Sequence, residues 1–165
     1  DERVVVLGDG RLGTLCAWVL STVSSDVTLV GRHPEKLKTA KWRNLKTAAK
    51  EDEIAPGADV VVEATGSGAG IVTAMSLCRP RGTIVLKSTV ALQGDVNLAP
   101  LVINEQMILG SRCGRFAEGL KMMRRFPDMP LDRMITDRFP LHRAEEAFER
   151  AGKSDALKVL LDIQI

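Results

Sequence analysis

A run of four apolar residues, Val4 to Leu7, opens directly onto Gly8-x-Gly10-x-x-Gly13, and few folds accommodate that succession. An apolar run without alternation suits a strand covered on both faces, as in a parallel sheet. From Leu12 to Val23 the apolar residues Leu12, Leu15, Cys16, Val19, Leu20 and Val23 recur at three-and-four spacing, which predicts a helix with that face inward. Gly8 permits the tight turn, Gly10 lets the backbone approach a pyrophosphate, and Gly13 lets the helix pack closely on the strand. The helix N-terminus then favours an anion through its unpaired N–H groups and its dipole. Strand, glycine turn and helix in this order predict a phosphate cradle that includes Arg11 and Leu12.

A second buried strand is expected at Val27 to Val30, after a loop at Ser24 to Asp26, completing a βαβ unit with a right-handed crossover. In dinucleotide-binding sheets an acid at the tip of this strand takes the adenosine ribose hydroxyls. Here Gly31 stands in that place and Arg32 follows, while Asp26 lies at the wrong end of the strand and Glu35 inside the next helix. A small residue leaves room for a 2′-phosphate and a guanidinium bonds it bidentately, so NADP(H) is expected over NAD(H). By the same logic, Gly31→Asp combined with Arg32→Ala is expected to shift preference toward NAD(H). Seven Lys or Arg residues from Arg32 to Lys50, Lys36 among them, face the single acid Glu35 and add positive potential.

The remaining chain continues the alternation of strands and helices. Helix is expected from Pro34 to about Lys41, a short edge strand at Asn44 to Thr47, and a helical turn at Glu51 to Glu53. A buried strand from Ala58 to Ala64 ends at Thr65-Gly66, and a helix follows from Ala69 to Cys78 with Ile71, Val72, Met75 and Cys78 on one side. Arg79 to Gly82 should break that helix before a strand at Thr83 to Leu86, which ends at Lys87. Leu98 to Asn104 is open between helix and loop, and a sixth strand, at the sheet edge, is expected from Gln106 to Leu109. Beyond it, Phe116, Leu120, Met123 and Phe126 predict a helix contacting the core. Met134-Ile135 reads as extended and Phe139-Pro140 as a break. A helix through Ala144, Ala147, Phe148 and Ala151 should be capped by Gly152, with a last strand at Leu157 to Ile163.

Composition removes several function classes. The formal net charge of +2, from 23 basic and 21 acidic residues, with 4% aromatics, does not indicate a nucleic-acid partner. No apolar run approaches the roughly eighteen residues of a membrane helix. Cys16, Cys78 and Cys113 form no ligand spacing and are expected to be buried free thiols in a reducing, cytoplasmic compartment. His33 and His142, the only histidines, belong to no ligand cluster and are expected at the surface.

Taken together, the chain resembles the coenzyme domain of the medium-chain dehydrogenase/reductase superfamily, in its zinc-dependent alcohol and polyol dehydrogenase branch. The resemblance rests on Val6 to Gly13, Val61-Val62-Glu63-Ala64-Thr65-Gly66, Arg81 to Val85, Ile108 to Ser111, and the tail Arg138 to Leu141 through Glu146-Ala147-Phe148 to Lys158-Val159-Leu160. It implies an α/β doubly wound parallel sheet, a Rossmann fold in three α/β/α layers. It also implies a dinucleotide-binding core over residues 1–112, with residues 113–165 packing on it. The resemblance places the pyrophosphate at Gly10 to Gly13, the ribose near Gly31, Arg32 and Lys36, and the adenine region near Thr65 and Gly66. The nicotinamide falls near Leu86, Lys87, Gly110, Ser111 and Arg112, and Lys158 near a basic pyrophosphate contact. In that family the zinc ligands and proton relay come from a domain preceding the glycine motif.

The chain opens at Asp1, hard against its first strand and without a leader. We therefore expect a segment of a longer protein, with the zinc-binding domain outside it, no catalytic residue or metal ligand of its own, and no turnover in isolation. The functional expectation is hydride transfer between nicotinamide and an alcohol or carbonyl, the rival being a non-catalytic nucleotide-sensing or interaction module. As in relatives, the sixth strand is expected to pair with its copy in a homodimer or tetramer.

Overall fold

The computed structural model describes residues 2–89 and 96–163. Six strands form one sheet: β1 (Arg3–Leu7), β2 (Asp26–Val30), β3 (Lys46–Ala48), β4 (Ala58–Glu63), β5 (Cys78–Leu86) and β6 (Met107–Gly110). Their order is β3-β2-β1-β4-β5-β6 and every pairing is parallel. The chain thus winds outward from β1 to one edge, crosses back, and winds to the other, which makes a doubly wound α/β sheet. The helices α1 (Arg11–Leu20), α2 (Pro34–Ala40), α3 (Gly70–Leu77) and α4 (Ala99–Ile103) supply the crossovers.

Period-two alternation sends successive β1 residues into two separate cores. Val4 and Val6 join Ala17, Trp18, Leu29, Leu37 and Ala40 on one face, while Val5 and Leu7 join Val61, Ile71, Ala74, Met75 and Ile84 on the other. Both faces are covered, so the valine runs need no polar side.

The buried face of α1 differs from the one its apolar spacing predicts. Gly13, Thr14, Ala17 and Trp18 are buried, whereas Leu12, Val19 and Val23 are exposed, and the helix ends at Leu20. Small residues at 13, 14 and 17 let the helix axis sit close to the sheet, and Trp18 fills the space at its far end. The Trp18 indole donates to the Ala40 carbonyl at 2.6 Å, tying α1 to the end of α2. In α3 the structure likewise buries Ile71, Ala74, Met75 and Leu77 but leaves Val72 exposed. Cys78 belongs to β5. The segment Arg79 to Gly82 is part of that strand, with Arg81 at φ 60° and a register shift between the Ala58 and Val60 pairings. The ambiguous stretch after Leu98 is the short helix α4.

Helix α5 (Phe116–Arg125) buries none of its own residues: Phe116 is 83% exposed, and Leu120 and Met123 are exposed too. Contact with the α1 side of the core comes instead from Met129 and Met134, with Met122 and Phe126 packed against it. The Phe139-Pro140 break is absent, because β7 (Ile135–Pro140) runs through it and pairs in parallel with β8 (Lys158–Asp162) as a separate two-stranded sheet. Helix α6 (Ala144–Ala151) buries only Ala147, and Gly152 after it is right-handed at φ −79°, not the left-handed cap expected. Phe148 is 75% exposed.

At the lower end of the sheet Asp59 accepts from the Arg79 guanidinium at 2.6 Å and from the Arg3 backbone N–H at 2.8 Å. The Arg79 bond first, then the Arg3 bond, holds this carboxyl below the usual carboxylate range. Because the folded pKa is the lower one, the contribution is present above the unfolded value and is lost as pH falls through the folded one. We expect Asp59→Asn to melt below wild type at neutral pH, with the gap closing in thermal scans taken below about pH 3.9.

Candidate functional site

The outward winding from β1 in two directions opens a crevice at the carboxyl ends of β1, β2 and β4, the position where such sheets hold ligands. A cleft of about 320 Å³ lies there, lined by residues of the three turns that follow those strands. Gly8, Gly10, Gly31, Arg32, Lys36 and Thr65, all expected at the site from sequence, line it.

The first wall is the β1–α1 turn. Gly8 has φ +111°, a conformation costly for any side chain, and its N–H donates to the Val30 carbonyl at 2.8 Å. A Cβ on Gly13 would fall inside the Gly8 carbonyl, so the helix starts this close to the strand only because residue 13 has no side chain. Gly10 is different: nothing lies within 4 Å of where its Cβ would be, and it is the N-cap of α1. The first turn of α1 has no side-chain cap and no acid, leaving its N–H groups for an anion. This is the donor set a diphosphate needs, and the residues fit a dinucleotide.

The second wall follows β2. Arg32 is exposed at the cleft, while Lys36 has a buried stem and an ammonium that makes no hydrogen bond among the described residues. The room expected beside Gly31 is filled, because a Cβ there would overlap the side chain of Asp9. Asp9 is only 7% exposed; it accepts the His33 backbone N–H at 2.7 Å and meets the His33 Nδ1 with both oxygens at 3.0 Å. His33 is therefore a cleft residue rather than a simple surface group. It also follows that Gly31→Asp is no clean cofactor switch, since the new carboxylate would collide with Asp9.

The third wall follows β4 and is organised by Glu63, which is 1% exposed. Its Oε1 accepts the Thr65 N–H at 2.8 Å and the Thr65 hydroxyl at 2.5 Å, and a Cβ on Gly70 would overlap that same oxygen. Gly66, at φ +68°, donates its N–H to the Ser88 hydroxyl at 2.9 Å. The Glu-Ala-Thr-Gly stretch is visible in sequence, but the role of Glu63 as an internal anchor is not.

Other expected site residues lie elsewhere. Arg11, Leu12 and Gly13 sit in α1 beside the cleft without lining it. Leu86 and Gly110 are register partners at the ends of β5 and β6, and Lys87 donates to the Ser111 hydroxyl at 3.2 Å and the Arg112 carbonyl at 2.9 Å. These form a second cluster farther along the same edge of the sheet. Lys158 begins β8 in the small sheet, paired with Ile135, and does not line the cleft.

Among the described residues no group of three His, Cys, Asp or Glu is placed to hold a metal. The three cysteines are free; burial pushes the Cys16 and Cys78 thiols up, while Cys113 is exposed rather than buried as expected. With one histidine already committed to Asp9, this donor set does not fit a zinc ion. No helix among the described residues is long and apolar enough to cross a membrane.

Comparison with known proteins adds four matches. The family model described as glucose dehydrogenase C-terminus matches residues 1–163. Glucose 1-dehydrogenase 2 of Vulcanisaeta moutnovskia is 31% identical over 98% of this chain and 50% of that protein. Among solved structures, an alcohol dehydrogenase from Thermotoga maritima superposes with a TM-score of 0.84 at 24% identity, over 99% of this chain and 50% of that one. S. aureus TarJ in complex with NADPH also superposes at 0.84, with 22% identity over 100% of this chain and 56% of that one. At these identities the two superpositions show the fold. The chain spans about half the length of the curated relatives it matches.

Proposed function

The chain belongs to the glucose dehydrogenase C-terminus family, and on that premise we propose that it is the NADP(H)-binding part of an oxidoreductase moving hydride between nicotinamide and an alcohol or carbonyl. The feature that supports this reading most is the cleft itself, where a glycine turn with open space at Gly10 adjoins Arg32 and Lys36. TarJ, which shares the fold, was solved with NADPH.

Nicotinamide supplies the hydride chemistry when bound; the chain supplies position and charge. The α1 first turn and Gly10 hold the diphosphate through backbone N–H groups. Arg32 takes the 2′-phosphate in a two-pronged bond and Lys36 adds a point charge beside it. Thr65, fixed by Glu63, faces the adenine region. Lys87, which donates to the Ser111 hydroxyl and the Arg112 carbonyl, braces the nicotinamide end with them. The reacting groups for the alcohol lie outside this chain, so the chain alone turns nothing over. At the sheet edge Met107 and Leu109 of β6 are exposed, which suits pairing with a second copy in a cytoplasmic dimer.

Titration with NADPH and NADH, followed by nicotinamide fluorescence, tests the reading. NADPH is expected to bind more tightly, and Arg32→Ala to weaken it about tenfold while NADH stays within about twofold. Failure of both cofactors to bind would overturn the proposal.

A further inference from the structure

Asp9 and Gly31 are 22 positions apart in sequence yet share one volume, and His33 closes over them. The Asp9 carboxylate comes from the phosphate turn but ends at the tip of β2, where it is nearly out of solvent. That is where a ribose-binding acid on β2 itself would stand, and Asp9 leaves no room for one. A carboxylate only accepts, so the proton between the two side chains sits on Nδ1 of His33. The backbone N–H of His33 occupies the same carboxylate from a second direction. With these bonds made, both oxygens of the Asp9 carboxylate already face N–H donors of His33, and the two side chains line the cleft together.

We propose that Asp9 and His33 act as one specificity unit at the adenosine 2′ position, with His33 capping the Asp9 carboxylate so that it neither binds ribose hydroxyls nor repels a phosphate held by Arg32 and Lys36. The inference rests on the dinucleotide reading above and extends it to two residues outside the glycine and arginine pattern. Its physical basis is charge: an uncapped carboxylate at this depth is weakly screened and strongly disfavours a second anion nearby. Asp9 persists there because it also joins the phosphate turn to the ribose turn, fixing one against the other.

The test is a set of NADPH and NADH affinities, by nicotinamide fluorescence, for the protein and its Asp9→Asn, His33→Ala and doubly substituted forms. His33→Ala is expected to weaken NADPH about tenfold and leave NADH within about twofold, because the bared carboxylate opposes only the extra phosphate. Adding Asp9→Asn to it is expected to restore most of the lost NADPH affinity. Asp9→Asn alone keeps the size of the side chain and one oxygen to accept from His33; it is expected to tighten NADPH about threefold and leave NADH unchanged. Equal weakening of both cofactors in His33→Ala without recovery in the double form, or weaker NADH binding in Asp9→Asn, would overturn the proposal. Absence of any binding by the unsubstituted protein would instead refute the dinucleotide reading.

Discussion

Gly13→Ala is expected to destabilise the protein by about 3 kcal/mol or more, whereas Gly10→Ala, three residues earlier in the same motif, leaves stability within about 0.5 kcal/mol. At residue 13 the new methyl would overlap the backbone carbonyl of Gly8, so relief requires main chain to move rather than a side chain to turn. The strain then passes to α1 as a whole, prising it from the sheet and opening the core around Trp18. At residue 10 the methyl meets nothing within 4 Å and the backbone is at an ordinary φ of −74°. It would stand at the mouth of the cleft, so the cost falls on the ligand, with NADPH affinity lower by about tenfold. Urea denaturation and cofactor titration on the two variants separate these effects. Equal loss of stability in both would mean that the turn is not built as described.

Trp18→Ala should cost about 3–5 kcal/mol, the range for removing a buried large aromatic. The side chain is fully buried, packs edge-on against Trp42 with ring centroids 6.5 Å apart, and donates to the Ala40 carbonyl. Its removal leaves both a cavity and an unpartnered carbonyl, and the two penalties add. Trp18→Phe keeps most of the volume and loses the hydrogen bond, so a smaller loss of about 1–2 kcal/mol is expected. Denaturant midpoints for the pair measure the two contributions. Loss of the Trp18 contact also loosens the C-terminal segment, because Met129 and Met134 belong to the same core.

The first strand, the glycine turn, the order of strands and helices and the basic residues at Arg32 and Lys36 could all be read from the chain. They depend on local rules: unbroken valine runs ask for cover on both faces, and glycines at this spacing ask for a turn without side chains. Tertiary structure alone decided which face of α1 is buried. Periodicity groups residues on a helix surface, but closeness to the sheet at Gly13 selected Thr14, Ala17 and Trp18 over the larger Leu12 and Val19. It also decided that Asp9 occupies the space beside Gly31 and that Glu63 holds the Thr65 turn. Both carboxylates act through partners that the strands bring within reach, and side-chain partners joined by a sheet leave no spacing in the sequence by which to find them.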